Sequence, residues 1–207
     1  MRASVTILVM GIGAAALTSP IWFFSSPNAY RNGLAPTAAA SVTMLSPSTT
    51  HIGKVPDDLI SKRLTIPLLR MKAEYLTPQF FDARGQRGHE AIDIVAPRGQ
   101  PVVATEDGTI AKLFVSERGG ITVYQFDPTE KYAYYYAHLD RYAEGLAEGD
   151  NVTRGQVIGY VGSTGNANAL QPHLHFAIFL LGPEKRWWKG EALDPYPVFT
   201  QSQRKTE

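Results

Sequence analysis

The sequence predicts a mainly β protein, an antiparallel β-sheet or sandwich domain preceded by an N-terminal signal or anchor and a linker. Three observations carry that reading. From Leu64 onward, short apolar runs rich in β-branched and aromatic residues recur along the chain. Gly, Pro, Asn and Asp separate them at short intervals, which is how hairpin-connected strands are punctuated. Helical candidates are few and short, at residues 56–62 and 142–147.

The elements follow in order. Arg2 precedes an uncharged, mostly apolar stretch from Val5 to Phe24, the pattern of an export signal, with Ala14-Ala15-Ala16 offering small residues for cleavage. The alternative is a retained anchor, since about 20 residues at roughly 1.5 Å each reach across a bilayer. Pro20, Gly11 and Gly13 interrupt such a helix. Either way the chain is expected to be exported, to the periplasm or cell envelope, with anchoring to the inner membrane as one outcome. Residues 25–60 are rich in Ser, Pro and Ala and read as a linker. The folded domain is expected over 61–200, and 201–207 read as a polar tail. Within the domain, strands are expected at 101–104, 108–115, 121–126, 132–138, 157–161 and 174–181. Asp150 to Gly159 reads as a tight turn into a strand.

Composition narrows the function. A chain of 207 residues suits one domain plus appendages. Its 20 Lys and Arg against 19 Asp and Glu leave no electrostatic footprint for nucleic acid. There is no cysteine, which excludes disulfides, thiolate metal sites and a cysteine nucleophile together. Any transition metal must be held by nitrogen and oxygen.

Of the five histidines, His51 lies in the linker and reads as a solvated residue, while His89, His138, His173 and His175 fall in the β domain. A strand alternates its faces, so His89, Ala91 and Asp93 are expected on one face, with Ile92 and Ile94 toward the core. His173 and His175 likewise share a face, and Tyr132, Tyr134, Tyr136 and His138 another. A lone histidine in a strand is usually a hydrogen-bonded core or surface residue. Here three segments offer imidazole or carboxylate, which suits a catalytic zinc with three nitrogen or oxygen ligands and one open position. Two further imidazoles could then handle protons. His89-Glu90-x-x-Asp93 also resembles the helical zinc motif H-E-x-x-H, in which Glu90 would be the general base. Ile92, Ile94 and Val95 favour a strand instead, and Gly88 and Pro97 bound the segment closely.

The segment from about Leu64 to Phe199 resembles the LytM-type, lysostaphin-like zinc metalloendopeptidases. The resemblance rests on RGQRGHEAIDIVAPR (84–98), PVVATEDGTI (101–110), Tyr136-Ala137-His138-Leu139, GDNVTRGQVIGYVGSTG (149–165) and Pro172-His173-Leu174-His175-Phe176, with RWWKGEALDPYP (186–197) as a family-like ending. The family's H-x-G-x-D, H-L and H-x-H motifs occur here in order. The resemblance implies that His89, Asp93 and His175 bind one zinc ion per chain and that His138 and His173 flank the bound water as catalytic residues. It implies a groove between sheets that takes peptidoglycan peptides. Arg84 and Tyr136, with Tyr132 and Tyr134, are candidates for lining it. Ala91 departs from the family's usual glycine, a change that bears on substrate preference more than on activity.

Particular residues argue against two other functions. A non-catalytic wall-binding activator of another hydrolase would lack a ligand, and none of His89, Asp93 and His175 is missing. A biotinyl- or lipoyl-type carrier needs an exposed lysine at a hairpin tip, and Lys112 sits inside an apolar run.

Overall fold

The computed structural model describes residues 55–85 and 87–204. The expected signal or anchor, most of the linker, His51 and the last three residues lie outside the described residues. A short helix α1 (Asp57–Ser61) follows Pro56, with Asp57 and Asp58 in its first turn, where carboxylates suit the helix dipole. After a 3-10 turn at Ala73–Tyr75 comes a small hairpin of β1 (Ala83–Arg84) and β2 (Arg87–Gly88).

The remaining strands form one antiparallel sheet: β3 (Ile92–Val95), β4 (Pro101–Val103), β5 (Gly108–Ser116), β6 (Gly120–Phe126), β7 (Tyr132–Tyr142), β8 (Asn151–Val152), β9 (Val157–Val161), β10 (His173–Leu181) and β11 (Gly190–Leu193). The order β11-β10-β7-β6-β5-β8 is its main path, with β3 on β10, and with β9 bridging β7 and β4. The final helix α2 (Pro195–Arg204) opens with proline, whose missing N–H costs nothing at that position. Asp194 Oδ1 caps it by accepting the Tyr196 N–H at 2.9 Å.

The mainly β expectation holds, and all six expected strands are present, most of them a residue or more longer. The expected helix at 142–147 is absent. Tyr142 still belongs to β7, and Gly145 and Gly149, at φ of 75° and 89°, turn the chain instead. The expected domain limits of 61 and 200 cut through packed structure. Val55 and Leu59 belong to the same core as the sheet, and α2 runs through residue 200 with Val198 and Phe199 buried.

That core lies on one face of the central strands. Tyr132, Tyr134 and Tyr136 of β7 are fully buried beside Leu174, Phe176 and Ile178 of β10. The opposite face of the same strands carries the groove.

Candidate metal centre and groove

Register brings the chemistry together. β3 pairs with β10 so that Asp93 stands opposite His175, and β7 pairs with the other edge of β10 so that Ala137 stands opposite His175. Ile92 and Ile94 are buried on one side of β3, which leaves Asp93 on the groove side. Leu174 and Phe176 do the same for His173 and His175. The small Ala137 keeps the floor beside His175 low.

His89 arrives differently. The expected strand over 89–93 begins only at Ile92, so His89 is in a loop, and Glu90 sits in the left-handed region at φ 56°. The backbone N–H groups of His89 and Glu90 donate to the carbonyls of Asp82 and Phe80, at 2.8 and 3.0 Å, which holds the loop without a strand partner. His89 is therefore presented by a pinned turn rather than by strand alternation. No helix forms over this segment, so the helical zinc motif has no scaffold.

His138 reaches the groove through a β-bulge. Val123 pairs with Tyr136 and Ile121 with Leu139, so β7 has one residue more than β6 between these pairs. Tyr136 and Leu139 both face the core although three positions separate them, which regular alternation forbids. The extra residue is His138, at φ 59°, its N–H donating to the Gly119 carbonyl at 2.8 Å. The bulge turns it to the groove face with Tyr135 and Ala137. His138 thus does not share a face with Tyr132, Tyr134 and Tyr136, and the expectation that these tyrosines line the groove is corrected. Tyr136 in particular is wholly buried. Its hydroxyl donates to Gln125 Oε1 at 2.6 Å and accepts the Thr105 N–H at 3.0 Å.

The donor atoms of His89, Asp93 and His175 converge. Asp93 Oδ1 lies 2.9 Å from His89 Nε2 and 2.9 Å from His175 Nδ1, and the two nitrogens are 3.2 Å apart. His89 Nδ1 is 3.2 Å from the Gln79 carbonyl, which can only accept. Nδ1 therefore carries the proton, and Nε2 turns a lone pair toward Asp93 and His175. With both imidazoles neutral, at most one proton, on His175 Nδ1, is left for three facing atoms. The His89–Asp93 contact is then two acceptors face to face, which is unfavourable unless a cation lies among them. Ligand atoms about 2.0–2.1 Å from a tetrahedral zinc stand roughly 3.3 Å from one another, close to this triangle. The residues fit a metal.

Their surroundings support the same reading. Arg84 Nη2 donates to Asp93 Oδ2 at 2.8 Å, leaving Oδ1 to the imidazoles. Gln79 Oε1 accepts the Asp93 N–H at 2.8 Å. Outer contacts of this kind fix the orientation of metal-binding side chains. Burial opposes ionisation of Asp93, but the His175 contact outweighs it and holds the carboxyl well below the usual range. Burial pushes His175 down despite Asp93 beside it, so the imidazole is neutral and keeps a lone pair.

His138 and His173 stand beside this cluster, their rings 5.0 Å apart, with His138 5.5 Å from His175. Each Nδ1 faces a backbone carbonyl at 2.9 Å, Thr164 for His138 and Gln171 for His173. Each therefore keeps its proton on Nδ1 and a free lone pair on Nε2. Burial pushes His138 down to about 4, with neighbouring His175 adding to the shift. A groove of about 560 Å³ contains all five of these residues together with Arg84 and Tyr135.

Residues 87–195, just over half of the chain, match Peptidase family M23. The chain belongs to this family. It is 37% identical to the L-Ala–D-Glu endopeptidase of Bacillus subtilis over 56% of this chain and 36% of that protein. It is 31% identical to the peptidoglycan DD-endopeptidase ShyC of Vibrio cholerae over 59% of this chain and 28% of that protein. The chain thus spans about a third of the first relative and less of the second. The structure of lysostaphin from Staphylococcus simulans superposes with a TM-score of 0.53 at 26% identity, covering 67% of this chain and 55% of that one.

Several groups at this M23 site were not foreseen. Gln79 holds both His89 and Asp93 from outside the matched span, in a segment with no motif to mark it. Thr164 holds His138 through its carbonyl while its hydroxyl donates to the Leu139 carbonyl at 2.7 Å. Tyr135, its ring 6.0 Å from that of His175, takes the groove position expected of Tyr136. Burial raises its phenol, so it stays a hydrogen-bond donor. Glu90 was expected to point away on a strand, and instead it lines the groove from its left-handed turn.

Proposed function

We propose that this chain is an exported zinc-dependent endopeptidase that hydrolyses peptide bonds of bacterial peptidoglycan. The observation that carries the reading is the triangle of His89 Nε2, Asp93 Oδ1 and His175 Nδ1, three possible ligand atoms within 3.2 Å of one another in an open groove. These three side chains would hold one zinc ion, which supplies a water of lowered pKa and polarises a carbonyl. One relative is named for an L-Ala–D-Glu bond and the other for a DD bond of peptidoglycan, which supports a peptide bond of peptidoglycan as the substrate without choosing which.

The chain's own residues divide the remaining work. His138 and His173 accept and return a proton at Nε2, each held in the required tautomer by a backbone carbonyl. His138 enters this role neutral because burial disfavours its charged form. Tyr135 lines the groove beside His175, its phenol kept protonated by burial. Arg84 and Gln79 keep Asp93 in one orientation. Export is supported by the apolar stretch after Arg2, a signal or a membrane anchor.

The test is metal content with cleavage. The purified full chain is expected to hold about one zinc and to release fragments from muropeptides, identified by mass. His89→Ala and Asp93→Ala should lose both metal and cleavage. Full zinc occupancy in both variants overturns the ligand set.

A further inference from the structure

Of the two arginines described along the groove, one is committed and one is free. Arg84 is bonded to Asp93. Arg118 lines the groove beside His138 and His173, and among the described residues no hydrogen bond or ion pair holds its guanidinium. Elsewhere Arg98 and Arg141 both spend their charge on Asp140.

The backbone under Arg118 is fixed. Its carbonyl accepts the Asn166 N–H at 3.1 Å, and the next carbonyl, of Gly119, accepts the His138 N–H at 2.8 Å. A Cβ added to Gly165 would strike the Gly120 nitrogen and the Arg118 carbonyl, so the two loops are packed backbone to backbone. The base of Arg118 is thus tied to the same bulge that aims His138. The Arg118 side chain lines the groove together with Tyr135, and its positive charge acts against the effect of burial on that phenol.

A guanidinium with five donors and no partner, on a rigid mount beside the reacting groups, suits a carboxylate, which it can grip through two parallel hydrogen bonds. We propose that Arg118 is a specificity residue of this groove, receiving a carboxylate of the peptide substrate, so that the chain cuts acidic wall peptides in preference to amidated ones. The inference rests on the peptidase reading above and adds the chemistry of the substrate's neighbouring group. The fork geometry makes a further demand: lysine, a point charge, should replace arginine only in part.

The experiment uses the full zinc-loaded chain and one muropeptide pool in two forms, native and with its carboxylates converted to carboxamides. Wild type is expected to cut the native form with a kcat/KM at least about tenfold higher, the scale of one charge-assisted contact. Arg118→Gln should erase that preference by raising KM for the native form, with kcat and zinc content held and cleavage of the amidated form unchanged. Arg118→Lys should fall between the two. Equal cleavage of both forms by wild type overturns this inference and leaves the peptidase reading standing. So does an equal loss on both forms in Arg118→Gln. A zinc-loaded wild type that cuts neither form overturns the peptidase reading, and this inference with it.

Discussion

The two faces of β7 carry similar residues and do opposite things. On the core face, Tyr132, Tyr134 and Tyr136 each have their hydroxyl committed, to Asp58 at 3.0 Å, Glu106 at 2.5 Å and Gln125 at 2.6 Å. Around them Glu106 and Asp127 share Lys62 at 2.9 and 3.0 Å, and no buried side-chain polar atom among the described residues lacks a partner. On the groove face, acceptors outnumber protons: three possible ligand atoms face one another, and two imidazoles keep a free nitrogen. Polar groups whose hydrogen bonds close among themselves hold a fold together. Polar groups left with surplus lone pairs at an opening are poised for a cation or a substrate.

The largest expected effect breaks the comparison on the groove side. His138→Ala and His173→Ala should each keep zinc and stability yet lose about 10²- to 10⁴-fold in rate, since they handle protons without holding the metal. Metal analysis beside muropeptide cleavage checks this. A variant that loses zinc as fully as His175→Ala would move that residue into the ligand set and erase the division.

The core face should respond in stability and not in chemistry. Asp127 accepts backbone N–H bonds from Lys131 and Tyr132 at 2.7 and 2.8 Å, the Thr129 hydroxyl at 2.7 Å, and Lys62. Burial works against its charge, but the Tyr132 and Thr129 bonds and Lys62 hold the carboxyl below its usual range. A carboxyl depressed in the folded state contributes stability that is present above its unfolded pKa, about 3.9, and lost as pH falls through the folded value. Asp127→Asn should lower unfolding free energy at pH 7 by roughly 1–3 kcal/mol while leaving zinc content and KM alone. It should also flatten the fall in stability below about pH 4, measured by denaturant titration. An unchanged acid slope would remove Asp127 from the network that defines this face.

How much of this was legible follows from the same two faces. The strands were readable because period-2 runs end at glycine and proline, and the H-x-x-x-D, H-L and H-x-H spacings marked five residues that do meet in one groove. The phase of β7 was not readable. One extra residue at His138 exchanges the roles of Tyr135 and Tyr136, and a bulge is a property of two paired strands, visible in neither alone. Gln79 escaped because its contribution is partly a carbonyl, which every residue has. The helix α2 was missed because Pro195 and Pro197 disguise it, although Asp194 is a cap that a search for helix starts would find.

Glu90 gives the smallest expected effect and joins the two lessons. On a strand it would point away from His89 and Asp93, and on a helix it would be the general base. It does neither, standing at φ 56° in the turn that presents His89. Although it lines the groove, its carboxylate is not part of the convergent donor set. Glu90→Gln should therefore keep zinc and most of the activity at saturating zinc. A left-handed conformation strains an L-residue by about 1 kcal/mol or more, which glycine avoids, while glycine costs about 0.5–1 kcal/mol through the freedom of the unfolded chain. Glu90→Gly should come out neutral to slightly stabilising, a Tm change of a few degrees at most. Glu90→Ala keeps the strain and should gain nothing. If Glu90→Gln were metal-loaded yet nearly inactive, the carboxylate would be a third proton-handling group, and His138 and His173 would lose their claim to that work.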